Sequence, residues 1–214
     1  MLKYKCIIFD CDGVLVDSEA ISAKIFQNMA LELGFKIDFE TILEQITGTS
    51  MKDNLSFFAK KIGKKLPVGF EKDFRKRSFE AYRTELNPIE GVHNLLNKIT
   101  VPICTASSGP QEKIRLNLTS TNLIDKFGHN IFSCFDIGSW KPEPEIYLHA
   151  AKTMGFSPNE CVVIEDSEPG VIAARSGGFD VYVLTNKKEK TAFEKLGANV
   201  FFGMDELGSL LKID

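Results

Sequence analysis

One apolar strand stands alone at the start of this chain. Tyr4 to Phe9 carries paired isoleucines and runs straight into an acid-rich turn, Asp10-Cys11-Asp12-Gly13. Roughly seventy residues of helical pattern follow before a second strand appears. In that interval Ile21, Ile25, Met29 and Leu33 form an apolar stripe, Gly34 supplies a stop, and further helical patterns break at Gly48, Gly63 and Pro67. Beyond Asn87-Pro88 the texture changes: Val101–Ala106, Ile131–Phe135, Cys161–Ile164 and Asp180–Leu184 read as short buried strands. Helices are expected from Pro110, Pro144 and Pro169 and over Thr191–Leu196. Strands alternating with helices imply a parallel sheet covered on both faces. The fold class is therefore α/β, a Rossmann-like parallel sheet with helices on both faces plus an inserted small helical bundle. Residues 1–16 and 87–214 are assigned to the sheet domain and 17–86 to the insertion.

Composition sets the outer bounds. The 214 residues, 43% of them hydrophobic, suffice to bury about 70% of the unfolded surface. No apolar run approaches the roughly 18 residues a membrane span needs, and the amino-terminal residues lack the pattern of a secretory signal, so a cytoplasmic protein without a membrane partner is expected. The five cysteines (Cys6, Cys11, Cys104, Cys134, Cys161) include no C-x-x-C spacing and mostly sit in apolar runs, which suits reduced, buried thiols. Trp140 reads as a packing residue at a strand end, and His93, His129 and His149 as packing or surface residues.

The formal charge of −3 hides an asymmetry: residues 52–83 hold ten Lys or Arg against four acids. These charges are read first as solvated helix faces and second as a basic module facing an anionic ligand. Nucleic acid is not an expected partner, because the whole chain is acidic and the basic segment carries no binding motif.

The chemistry is written at strand ends. Side chains two apart in an extended chain point to one side, so Asp10 and Asp12 are expected to converge. Their repulsion is relieved if a cation binds one and a proton stays on the other, which separates their roles. A calcium loop fits less well, because Val14 stands where a further oxygen ligand is needed. Thr105-Ala106-Ser107-Ser108-Gly109-Pro110 places hydroxyls and free N–H groups before a helix, a phosphate-binding arrangement. Trp140-Lys141-Pro142-Glu143-Pro144 fixes a lysine between an aromatic ring and prolines, and Glu165-Asp166-Ser167 ends the apolar run Val162-Val163-Ile164. In a parallel sheet ligands bind at the strands' carboxyl edge, where all four segments fall.

These four segments, in this order, resemble the motifs of the haloacid dehalogenase superfamily of hydrolases, over most of the chain. The resemblance implies that Asp10 is the nucleophile and Asp12 the general acid and base. It implies Mg²⁺ held by Asp10, Asp12 through its backbone carbonyl, and Asp166 with Glu165 close by, and phosphoryl oxygens held by Ser107, Ser108 and Lys141. The insertion resembles the small helical cap of the family's first subclass, which selects substrates. The opening segment is similar to that of the sugar phosphatases and β-phosphoglucomutase. The implied activity is Mg²⁺-dependent hydrolysis of small phosphorylated metabolites, sugar or sugar-acid phosphates with 6-phosphogluconate among them, through an aspartyl phosphate, by a monomer or weak dimer. A phosphosugar mutase is the alternative, but Ser22 stands where mutases carry a cap-helix histidine. Dehalogenases and phosphonate hydrolases lack the second aspartate. A non-catalytic phospholigand sensor would not need Asp10, Asp12, Lys141 and Asp166 together.

Overall fold

The structure, a computed structural model, describes residues 3–213. Strand β1 (Cys6–Phe9) is followed by four helices, α1 (Glu19–Glu32), α2 (Phe39–Ile46), α3 (Met51–Ile62) and α4 (Phe70–Glu85). Helix α5 (Val92–Lys98) leads into β2 (Ile103–Ser107), α6 (Gln111–Ser120), α7 (Ile124–Phe127), β3 (Ile131–Ser133), α8 (Cys134–Ile137) and α9 (Glu145–Met154). The chain continues through β4 (Cys161–Glu165), α10 (Glu168–Ser176), β5 (Asp180–Leu184), α11 (Lys190–Lys195), β6 (Asn199–Phe201) and α12 (Met204–Leu211). The six strands form one parallel sheet in the order β3-β2-β1-β4-β5-β6.

The two-residue period of β1 decides which layer each side chain joins. Ile7 and Phe9 face a core completed by Leu95 and Leu96 of α5, Ile114 and Leu118 of α6, and Leu207 of α12. Cys6 and Ile8 face the opposite core, filled by Tyr147 and Ala150 of α9, Val171 of α10 and Phe193 of α11. The sheet is thus covered on both sides. All five cysteines are buried and unpaired, as their apolar settings predict.

Helices α1 to α4 pack around a third core of their own, in which Phe26 stacks on Phe58 and Phe74 at ring-centroid separations of 4.4 and 3.8 Å. Both ends of this helical unit meet at a short stem. The Asp17 N–H donates to the Asn87 carbonyl at 3.0 Å, the Ile89 N–H donates to the Leu15 carbonyl at 3.0 Å, and Val16 bridges Pro88.

Several expectations need correction. In α1 the buried residues are Ala23, Phe26, Met29 and Ala30, while Ile21, Ile25 and Leu33 are only half-buried. A spacing of four drifts by about 40° per step around a helix of 3.6 residues per turn, so Met29 is buried while Ile25 and Leu33 pack at the edge of the helical core and Ile21 against the core of the sheet. Strand β3 stops at Ser133, whose hydroxyl accepts from the Phe135 N–H at 3.1 Å and caps α8. Trp140 is no packing residue: it is 42% exposed and meets Phe135 edge-on. The strand β6 and helices α5 and α12 are additions to the predicted elements.

The basic stretch falls on α3 and α4, where Arg75 pairs with Glu71, Arg77 with Glu32 and Asp73, and Lys76 with Glu80. Most of it is solvated helix face. Phe58 is fully buried, so Phe58→Ala is expected to cost about 3–5 kcal/mol, measured as a lower urea midpoint. A loss below about 1 kcal/mol would show that the phenylalanine stack does not hold the helical unit together.

Candidate active site

The parallel register brings the four motif segments to one edge. Phe9 lies beside Thr105 on β2 and Ile164 on β4, so Asp10, Ser107 and Glu165 leave the sheet together. This is the point where the strand order reverses, the usual ligand crevice of an open parallel sheet. Above it opens a cavity of about 470 Å³ whose floor includes Asp10, Asp12, Ser107, Lys141 and Asp166. Its roof comes from the helical unit, with Ser22, Phe26, Asn54, Arg75 and Ser78 among the lining residues. Arg75 is the one member of the ten-residue basic set on that lining.

Lys141 is the hub of the floor. Its ammonium donates to Asp10 Oδ1 and, at 2.6 Å, to Glu165 Oε1, and its side chain is 6% exposed. Burial counts against the ammonium, but the Asp10, Glu165 and Tyr147 oxygens hold its pKa well above the ordinary value. Burial pushes the Asp10 carboxyl up to about 7, with the Glu165 and Asp12 charges adding to the rise against the pull of Lys141.

Asp12 faces the same cavity as Asp10, as the spacing predicts, but it has hydrogen-bond partners of its own. Its Oδ2 accepts from Lys113 Nζ at 2.8 Å, and its Oδ1 accepts from the Ser18 hydroxyl at 2.5 Å and Asn117 Nδ2 at 3.1 Å. Burial would raise its pKa, yet Lys113, Ser18 and Lys141 outweigh it and hold the carboxyl below the usual range. The proton affinities of the pair do part.

Glu165 requires a correction. Expected beside the metal, it is fully buried and spends both oxygens elsewhere. Oε1 accepts from Lys141 and, at 2.6 Å, from the Tyr147 hydroxyl, while Oε2 accepts from the N–H groups of Asp166 and Ser167 and from the Ser167 hydroxyl, all at 2.9 Å. With five donors satisfied it has no lone pair to spare for a cation, and its place is behind Lys141.

The Asp166 carboxylate behaves oppositely. Among the described residues it accepts no side-chain or backbone hydrogen bond, and burial beside Glu165, Asp10 and Glu19 pushes its pKa well above the ordinary value. Asp10 and Glu165 share one ammonium and Asp166 lies beside them without a cation of its own, an excess of negative charge that a cation would relieve. No cluster of three or more His, Cys, Asp or Glu side chains among the described residues closes into a metal cage of its own. Mg²⁺ needs no such cage: one or two carboxylates plus a carbonyl and waters suit it, and Asp10, Asp166 and the Asp12 carbonyl fit that donor set.

Ser107 is buried and its hydroxyl accepts from the Gly109 N–H at 3.0 Å, while Ser108 is exposed; both line the cavity. Thr105, its neighbour on β2, keeps a buried hydroxyl without a partner among the described residues. Sequence reasoning missed Lys113 and Asn117, which stand one helical turn apart on α6. Their i,i+4 spacing just after the phosphate-binding turn is the signal that would have found them. Tyr147, inside an ordinary apolar helix face, offered none.

Comparison with known proteins identifies the family. A family model described as haloacid dehalogenase-like hydrolase matches residues 4–178. The 6-phosphogluconate phosphatase of Escherichia coli K12 is 32% identical over 183 residues, which span 85% of this chain and 83% of that protein. The phosphorylated carbohydrates phosphatase of Thermotoga maritima is 27% identical over 214 residues, 97% of this chain and 98% of that one. The crystal structure of a HAD family hydrolase from Deinococcus radiodurans R1, with bound phosphate and sodium, matches with a TM-score of 0.84 at 28% identity over 100% of this chain and 97% of that one. The chain belongs to the haloacid dehalogenase-like hydrolases. Within them it is an enzyme of the phosphoric monoester hydrolase class.

Gly13 makes the close approach of the acidic turn to β4 possible. Its φ is +77°, and a Cβ there would run into the Asp166 carboxylate. Gly13→Ala is expected to lower phosphatase activity about 100-fold through misplacement of Asp166, with an unchanged far-UV circular dichroism spectrum. Activity within about threefold of the parent would show that the turn tolerates the displacement.

Proposed function

We propose that the protein is a Mg²⁺-dependent phosphatase of sugar or sugar-acid phosphates, 6-phosphogluconate among them, acting through an aspartyl phosphate on Asp10. One observation carries this reading: a buried carboxylate paired to a buried lysine sits at the floor of a half-open cavity, and a second acid two residues away has its own separate donors. Residues 17–86 are the cap in this proposal.

Mg²⁺, held by Asp10, the Asp12 carbonyl and Asp166, would neutralise phosphoryl charge and let an anionic nucleophile approach. Lys141 and Ser107 bind the phosphoryl oxygens, with Ser108 at the cavity wall. Asp10 attacks phosphorus, the ester P–O bond breaks, and Asp12 gives a proton to the departing alkoxide. Water then attacks the phosphoaspartate, its proton passes to Asp12, and the Asp10–phosphorus bond breaks to release phosphate. Glu165 keeps Lys141 aimed at Asp10.

The cap side supports a polyhydroxylated substrate. Ser22, Asn54 and Ser78 supply neutral polar groups, and Arg75 supplies a cation suited to a sugar-acid carboxylate. The substrate names of the Escherichia coli and Thermotoga maritima relatives point the same way. A mutase is less well supported. Ser22 is bound to the Ser18 carbonyl at 2.9 Å and the Tyr82 hydroxyl at 2.6 Å, and it cannot shuttle protons as a histidine would. The five buried thiols suit a reducing compartment, and we place the activity in the cytoplasm.

A panel of sugar, sugar-acid and polyol phosphates assayed for phosphate release tests the proposal. Release is expected to need Mg²⁺, to stop with EDTA, and to fall by about 10⁴-fold or more in Asp10→Asn. Turnover that survives chelation, or that Asp10→Asn retains, would overturn the mechanism. Preference for neutral sugar phosphates would overturn the sugar-acid assignment, and conversion of β-glucose 1-phosphate to glucose 6-phosphate would restore the mutase.

A further inference from the structure

Lys113 belongs to none of the four motif segments, yet it makes the one ion pair to Asp12 among the described residues. It projects from the first turn of α6, and its ammonium lies 2.8 Å from Asp12 Oδ2 and 5.7 Å from the centroid of the Tyr82 ring on α4. One turn further along, Asn117 is fully buried and donates to Asp12 Oδ1 at 3.1 Å. The side chain of Lys113 is 21% exposed, and an ammonium so shielded from water is costly unless a partner offsets it. Tyr82 is itself buried and shares a hydrogen bond with Ser22, so the cap's last helix closes over the pair. The sheet domain supplies the two donors, and the cap supplies the aromatic wall.

We propose that Lys113, assisted by Asn117, is a positioning residue for the reaction, holding the Asp12 carboxyl in the orientation from which it exchanges a proton with the leaving group. In that step the Asp12 O–H bond breaks, an O–H bond forms on the departing alkoxide, and a negative charge appears on Asp12 beside the ammonium. The proton returns to Asp12 from the water that hydrolyses the phosphoaspartate. The inference rests on Asp12 being the acid and base of the proposed mechanism. It makes a demand that simple structural support does not. The benefit of Lys113 must grow with the leaving group's need for a proton. A departing nitrophenolate needs little help, and a departing sugar alkoxide needs much.

The test compares kcat/KM, which reports the phosphoryl-transfer half of the cycle, for p-nitrophenyl phosphate and for the best alkyl phosphate of the panel. Lys113→Met is expected to lose about 100-fold on the alkyl ester and no more than about threefold on the aryl ester. Lys113→Arg should recover most of the alkyl activity. Asn117→Ala should show the same asymmetry at about tenfold and keeps the measurement open if the methionine variant folds poorly. Asp12→Asn is the reference. If it shows the asymmetry and neither Lys113→Met nor Asn117→Ala does, the positioning role is wrong while the mechanism stands. If Asp12→Asn loses equally on both esters, the acid and base assignment itself fails, and this inference with it.

Discussion

A single ammonium between two buried carboxylates organises this enzyme. Lys141 reaches Asp10 across the crevice, and Asp10 and Glu165, the latter from the neighbouring strand, together hold it charged there. Burying one lysine with one aspartate would leave both poorly compensated. The third partner, anchored in turn by Tyr147 and the N–H groups that open the loop before α10, makes the arrangement rigid. Because β1 and β4 are neighbours, Asp10 and Glu165 can share a lysine carried on the loop between α8 and α9.

The two aspartates of the opening turn show how neighbours in sequence acquire different chemistry. Asp10 is set against Lys141 among other acids, and burial raises its carboxyl pKa, while Asp12 turns to Lys113, Asn117 and Ser18, which hold its carboxyl below the usual range. Their difference comes from which structural element each faces, not from the residues themselves. One looks into the sheet edge, and the other looks across to α6 and the start of α1.

Much of this was readable in advance because the relevant residues announce themselves by unusual context. Apolar runs stopping abruptly at Asp10 or Glu165, and a lysine pinned between Trp140 and Pro142, are patterns that local sequence preserves. The parallel sheet and the helical stretch after β1 followed from the same punctuation. What escaped were residues whose function depends on the facing element. Lys113 and Asn117 sit in a helix of ordinary composition, and only the approach of α6 to the acidic turn gives them a task. Glu165 was misjudged for the same reason: adjacency to Asp166 suggested a shared ligand, but consecutive residues leaving a strand point in opposite directions. The α1 stripe marks the packed side of the helix, but its edge residues are only half-buried because a four-residue count does not keep pace with the helix.

The stem that joins Asp17 to Asn87 has a consequence for how such a protein can change over time. Because the chain leaves and returns to the sheet at one hydrogen-bonded point, the intervening helices add no closure strain beyond a slowly growing entropic cost. They can lengthen, shorten or be exchanged without shifting β1 or the turn that follows it. The reacting groups and the walls that surround a substrate are therefore free to diversify at different rates. A lineage built on this plan can vary the intervening helices as one continuous stretch of gene, provided that Ser18 and Tyr82 keep their places beside Asp12 and Lys113.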